Sequence, residues 1–127
     1  MDKGAASPPG GSMPLQGAPT PAITPHHQAA DQLLGKRWTC LIVAVLLDGP
    51  CRFSDIASRL QSLSDRTLSA RLGELESCGI IHRRVLAQSK PVKIEYVLSA
   101  KGLALRPVIA EIMCWADDWL QQEHGPG

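Results

Sequence analysis

The sequence predicts a mainly α domain with a small antiparallel β-wing, an α+β arrangement, on three observations. Residues 64–79 form a polar, arginine-bearing helix with its own start and stop residues, running directly into a basic strand. A shorter helix signal lies just ahead, separated from it only by Gln61, Ser62 and Leu63. Two segments of strand character, 80–86 and 93–98, flank a polar turn behind it. Two short helices across so tight a turn have helix-turn-helix spacing, and the ribbon supplies a wing. The whole reads as a winged helix-turn-helix with additional N- and C-terminal helices, the C-terminal one offering a dimer interface.

Each element follows from local chemistry. Residues 1–25 hold six of the ten prolines and four of the eleven glycines. Such a segment buries too little apolar surface to order itself and is expected to be a disordered tail. Met13 within it is an alternative start. Thr24 can cap a helix and Pro25 fits the first helical position, so a helix is expected over 25–34, ending near Gly35. A second helix over 37–48 ends at Gly49-Pro50. Trp38, Leu41, Ile42, Val45 and Leu46 give it an apolar stripe at helical period, so it is the expected core strut, with Trp38 packing in it. Residues 51–53 can add a brief third strand.

Ser54 is the expected N-cap of the next helix, with Asp55 in its first turn and Ile56, Ala57 and Leu60 on its buried side. After the turn, Ser64 caps the long helix, Leu68, Leu72 and Leu75 form its apolar stripe, and Gly79 ends it. The opposite face carries Arg66, Ala70, Gly73 and Ser77, flanked by Thr67 and Ser69. Slim side chains with donors near the helix start suit a major groove, although a solvated surface helix carries the same residue types. In the strands, Lys93 to Leu98 alternate at period 2, and the intervening turn 87–92 contains Lys90 and Pro91. Ser99 caps a C-terminal helix that Pro107 is expected to kink or break. Its stripe is Leu105, Val108, Ile109, Ile112, Trp115, Ala116 and Trp119. The domain is placed over 26–121 and a flexible C-terminus over 122–127.

The net charge of +1 conceals segregation. Between Gly35 and Arg106 twelve Lys or Arg oppose six Asp or Glu, whereas beyond Pro107 there are four acidic residues and no Lys or Arg. One surface facing phosphate and another turned away from it accounts for that division. No signal peptide is visible, because Met1-Asp2-Lys3 is followed by Gly, Ala, Ser and Pro. The longest apolar run, 41–47, is too short to cross a bilayer. A cytoplasmic protein without membrane contact is expected.

Catalytic and metal chemistry find little support. Cys40, Cys51, Cys78 and Cys114 show no C-x-x-C and no histidine at zinc-ligand spacing. No nucleophile elbow, Gly-rich phosphate loop or HExxH is present, so no enzymatic activity, metal or cofactor is expected. Cys51 is the one redox candidate, because the neighbouring Arg52 would favour its thiolate.

A resemblance now joins these readings. Leu34-Gly35-Lys36-Arg37-Trp38, Gly49-Pro50 before Arg52-Phe53, and Leu68-Ser69-x-Arg71-Leu72-x-x-Leu75 occur in order. They are followed by Gly79-Ile80 before Arg83, Pro91-Val92-Lys93-Ile94-Glu95-Tyr96-x-Leu98, Gly102, Leu105 and Trp115. This set resembles the HxlR family of bacterial winged helix-turn-helix transcription regulators, over about residues 33–119. The resemblance implies a homodimer with the first helix joining the interface. Two departures stand out. Only Gly35 remains of the two glycines usual before the lysine and tryptophan, and Arg37 sits beside the tryptophan. The upstream cysteine that redox-sensing members use is also missing, that neighbourhood being Ala22-Ile23-Thr24-Pro25-His26-His27.

The expected function is a homodimeric, sequence-specific DNA-binding transcriptional regulator on a palindromic operator in double-stranded DNA. Arg66, Thr67 and Ser69 project from the leading turns of the recognition helix for base reading, with Arg66 suited to a guanine edge. Ser64, Arg71 and Arg52 are expected at phosphate; Arg71 lies about 60° from the leucine stripe and has Glu74 or Glu76 as alternative partners. Ser89, Lys90 and Lys93 serve in the wing, on backbone or minor groove. Leu105, Val108, Ile109, Ile112, Trp115 and Trp119 form the dimer interface, unless they fold back on Trp38 and the second helix. Two alternatives remain open: a redox- or small-ligand-responsive regulator of the same fold, with an unidentified oxidant or small-molecule effector, and a protein-interaction module without DNA binding.

Overall fold

Thr24 opens the first helix as its chemistry dictates. Its hydroxyl accepts the His27 amide at 3.3 Å, while the His27 ring accepts the Thr24 amide at 3.2 Å. In the computed structural model, which describes residues 21–121, helix α1 spans Pro25–Leu34. Of the tail expected over 1–25, residues 1–20 lie outside the described residues, as does the C-terminus expected over 122–127, and Thr24 and Pro25 already belong to the start of α1. Helix α1 buries none of its residues fully.

Helix α2 (Thr39–Leu47) starts two residues later than expected. Trp38 stands outside it with φ of +79°, a left-handed conformation costly for a bulky residue. Its ring lies beneath the Arg37 guanidinium at 5.2 Å and packs partly on the core. Thr39, Ile42, Val43, Val45 and Leu46 are buried, so α2 is the central strut as expected. The stripe differs in detail: Val43 is fully enclosed, and Leu41 points outward. A helix apolar on nearly every side carries no periodic signal that distinguishes its faces.

Helix α3 (Phe53–Arg59) is capped at Arg52 rather than at Ser54. The Asp55 carboxylate accepts the Arg52 amide at 2.9 Å, satisfying one orphan donor of the first turn and placing Ser54 inside the helix. The connection to the next helix runs over 60–64, and its Leu63 is buried in the core. Helix α4 (Asp65–Ser77) begins with Ser64 Oγ accepting the Thr67 amide at 3.1 Å. Leu68, Leu72 and Leu75 are all buried, as their spacing requires. Gly79, with φ of +76°, ends the helix. There the Ile80 amide reaches the Leu75 carbonyl at 2.9 Å and the Gly79 amide reaches Glu76 at 3.0 Å, a Schellman cap.

Strands β1 (Ile81–Leu86) and β2 (Lys93–Leu98) pair antiparallel, from the Ile81–Leu98 rung to the Leu86–Lys93 rung. The third strand is reduced to one bridge: the Cys51 and Tyr96 backbones exchange hydrogen bonds of 3.0 and 2.7 Å. That bridge ties the ribbon to the start of α3. The C-terminal helix is broken where Pro107 predicts, into α5 (Ala100–Leu103) and α6 (Arg106–Trp119). Ser99 Oγ caps α5 by accepting the Gly102 amide at 3.1 Å. A Cβ on Gly102 would stand 2.3 Å from the Ile80 carbonyl oxygen, so this helix sits on the link between α4 and β1 at a distance only glycine allows. Lys101 Nζ closes the joint by donating to the Cys78 carbonyl at 2.6 Å. Among the described residues no helix is long and apolar enough to cross a membrane.

Candidate nucleic-acid interface

The twelve described Lys and Arg side chains sort by partner. Five face carboxylates: Lys36 and Arg71 share Glu74 at 3.0 and 3.4 Å, Arg59 meets Asp48 at 3.0 Å and Arg52 meets Asp55 at 3.9 Å. The fifth, Arg84, pairs with Glu95 across the ribbon. Three others sit on a ring or a carbonyl: Arg37 on Trp38, Lys101 on Cys78, and Arg106 on the Leu47 carbonyl at 3.3 Å. Arg66, Arg83, Lys90 and Lys93 remain. All four are exposed, and their charged groups have no partner among the described residues. A cation already neutralised by a carboxylate must break that pair to meet a phosphate; these four need not.

Their location is restricted. Arg66 stands in the first turn of α4, Arg83 in β1, and Lys90 and Lys93 at the tip and the start of β2. Three of them are residues the sequence had singled out. Arg83 was missed there as a site residue. The available signal was strand register: Arg84 faces Glu95 while Arg83 faces Tyr96, so one of two adjacent arginines has a cross-strand acid and the other has none.

The remaining expected contacts are placed less uniformly. Ser69 is exposed on the polar face of α4, and Ser89 is half-buried in the wing turn. Ser64 Oγ also donates to Thr67 Oγ1 at 3.0 Å, so these two hydroxyls engage one another at the helix start. Arg52 keeps its loose Asp55 pair at an exposed position. Arg71 takes the alternative left open by its direction. Its Nε donates to the Arg37 carbonyl at 2.9 Å and its Nη1 to Glu74, and the side chain is only 21% exposed. It locks α4 to the corner between α1 and α2.

Cys51 requires a correction. Burial pushes its thiol up, with Asp55 adding to the effect and Arg59 partly opposing it. Arg52, expected to favour the thiolate, turns toward Asp55 instead. The exposed thiols among the described residues are Cys78 and Cys114.

Helix α6 uses two faces. Ile109 is 3% exposed in the chain's own core, and that burial corrects its assignment to a dimer interface, whereas Leu105 is half-buried against the same core. Val108, Ile112, Trp115 and Trp119 are 41, 44, 57 and 41% exposed. At about 100° per residue they centre about 90° around the helix from Ile109. The tryptophans therefore do not fold back on Trp38. They leave an apolar strip open on a domain whose own core is complete.

A model of the HxlR-like helix-turn-helix family matches residues 33–124. The chain belongs to this family. This HxlR-like chain is 48% identical over 98 residues to the HTH-type transcriptional regulator YvaP of Bacillus subtilis, covering 77% of the chain and 90% of the relative. It is 44% identical over 99 residues to the transcriptional regulator YodB of the same organism, covering 78% and 88%. The solved reduced form of YodB superposes with a TM-score of 0.69 at 42% identity, over 84% of this chain and 99% of that one. The oxidised form of the redox regulator HypR gives a TM-score of 0.68 at 30% identity, over 72% and 93%.

Proposed function

We propose that this HxlR-like protein is a cytoplasmic, homodimeric transcriptional regulator that binds a palindromic operator. The recognition helix α4 enters the major groove, and the ribbon lies on the adjacent backbone or minor groove. The observation that carries this reading is the sorting of the cations. Among the described residues, the cations without a partner gather on α4 and the ribbon, while Glu111, Asp117 and Asp118 lie on α6. Arg66 reads a base edge, Thr67 and Ser69 support it, Ser64 and Arg52 meet phosphate, and Ser89, Lys90 and Lys93 anchor the wing. Arg71 acts by holding α4 in place. The open strip of Val108, Ile112, Trp115 and Trp119 pairs with its two-fold mate. Its action is binding, with no catalytic step and no cofactor.

The test is binding of duplex DNA, from the regions upstream of the organism's own genes, over a salt series. Lys and Arg contacts release condensed counterions, so six to ten phosphate contacts lower affinity by roughly a thousandfold or more between about 50 and 200 mM salt. Affinity that is flat across that range, or absent, overturns the reading. HypR, named as a redox regulator, and YodB, solved in a reduced form, favour a second layer, an oxidant acting on this dimer. Here an oxidant would meet Cys78 and Cys114 before the half-buried Cys51.

A further inference from the structure

Among the described residues, Arg83 is the unpaired cation to which the base-reading helix and the wing tip assign no task. We propose that Arg83 grips a backbone phosphate at the rim of the major groove, between the leading turn of α4 and the wing tip. The inference rests on the DNA-binding reading above and adds a contact to it.

Residues directly opposite in an antiparallel pair share a face of the ribbon. Arg83 lies opposite Tyr96, so it shares the face of the Ile81–Leu98 rung, which is buried beneath the helices. Tyr96 packs partly on that same core. Arg83 is thus one pleat beyond the core on the helix side of the ribbon, at the point where β1, packed against α4, comes out into solvent. Arg84 points to the other face, where Glu95 neutralises it. Adjacent arginines are therefore in opposite electrostatic states, and the bare one shares the ribbon face that packs on the helices.

Spacing separates this contact from those of the tip. A strand rises about 3.4 Å per residue, so Arg83 lies about 10 Å along the ribbon from the Leu86–Lys93 rung. Lys93 also belongs to the opposite face. With a major groove about 12 Å wide, Arg83 and the tip lysines reach different phosphates. The guanidinium fork suits two phosphate oxygens, and no carboxylate has to be displaced first.

The experiment compares Arg83→Ala, Arg83→Lys and Lys101→Ala by titration of a cognate and a scrambled duplex over a salt series. Lys101→Ala removes the same charge at the far end of α4, where its ammonium holds the Cys78 carbonyl. Thermal melts confirm that each variant is folded, as the exposure of Arg83 leads one to expect. Arg83→Ala should lower the slope of log affinity against log salt by about 0.9. Over a fourfold change in salt this shrinks the loss of affinity by about threefold. The effect should be equal on both duplexes, because phosphate contacts carry no sequence information. Arg83→Lys should restore most of the slope, and Lys101→Ala should keep it. If the wild type binds with a steep slope and Arg83→Ala behaves like Lys101→Ala, the Arg83 contact is wrong while the DNA-binding reading stands. A loss confined to the cognate duplex also overturns it, since Arg83 would then read a base. A wild type that does not bind duplex DNA brings down both.

Discussion

One substitution made at two glycines tests how α4 is mounted. A Cβ at Gly102 would lie 2.3 Å from the Ile80 carbonyl oxygen and 2.9 Å from Leu98 Cδ2. Ordinary C···O contacts are about 3.3 Å, so α5 must lift by about 1 Å. The Ile80 carbonyl also accepts the Ser99 amide at 2.9 Å, and lifting α5 stretches that bond. Overpacking costs about 1–3 kcal/mol, and a weakened hydrogen bond adds about 1 kcal/mol. Alanine's better helix propensity returns less than about 1 kcal/mol in so short a helix. Gly102→Ala should therefore destabilise by about 2–3 kcal/mol, lowering the Tm by about 10–20 °C for a domain of this size. Gly73 sits mid-helix in α4 with nothing within 4 Å of an added Cβ. Gly73→Ala should instead stabilise by about 0.5–1 kcal/mol and raise the Tm by several degrees. Circular dichroism melts at one protein concentration compare the two. A Gly102→Ala variant melting within a degree or two of wild type would refute the close seating of α5 on β1.

Three further outcomes are expected. Arg66→Ala should cost about 1–3 kcal/mol on the cognate site and relax one base pair, whereas Lys90→Ala should weaken cognate and scrambled duplexes alike; equal losses on both for Arg66→Ala would make it a positioning residue. Trp115 and Trp119 lie outside the monomer core, so Trp115→Ala/Trp119→Ala should sediment as a folded monomer, each truncation weakening association by about 2 kcal/mol or more. A variant that remains dimeric and binds its operator normally would remove α6 from the interface. Because burial raises the Cys51 thiol, its thiolate fraction is depressed at neutral pH and grows only in alkaline solution. Iodoacetamide at pH 7, mapped by mass spectrometry, should label the exposed Cys114 and Cys78 first, and fast labelling of Cys51 would contradict the burial argument.

What could be read from the sequence was local. The Ser64 cap, the Leu68–Leu72–Leu75 stripe, the Gly79 stop, the two strands and the break ahead of Pro107 each depend on residues within one or two turns. The rest needed the chain folded. Leu41 and Val43 could not be told apart on a helix apolar all round, and the Arg71 bond to the Arg37 carbonyl spans 34 residues. Ile109 and Ile112 look alike in a stripe, yet only packing against the core shows that one is buried and the other open. Arg83 stood in a visibly basic strand, but its isolation depended on which residue faced it across the ribbon. Cys51 reversed for the same kind of reason: its neighbour in sequence turned away, and burial decided the thiol.

The joint at Gly102 fixes one end of α4. Its thirteen residues make a rod about 20 Å long at 1.5 Å per residue, pinned at the Gly79 end by Ser99, Lys101 and the close contact with Ile80. Arg66 lies near the opposite tip, which the enclosed Leu63 and Leu68 seat on the core. A swing of about 10° about the pin carries that tip about 3.5 Å, close to the roughly 3.4 Å between successive charges on one DNA strand. Leu68, 1% exposed near that tip, and the joint at the other end therefore hold Arg66 against a displacement of that size. The Arg71 bond to the Arg37 carbonyl and the Lys36–Glu74 pair tie α4 to the α1–α2 corner and oppose the same swing, so loosening them would blur the position of Arg66 without touching Arg66 itself.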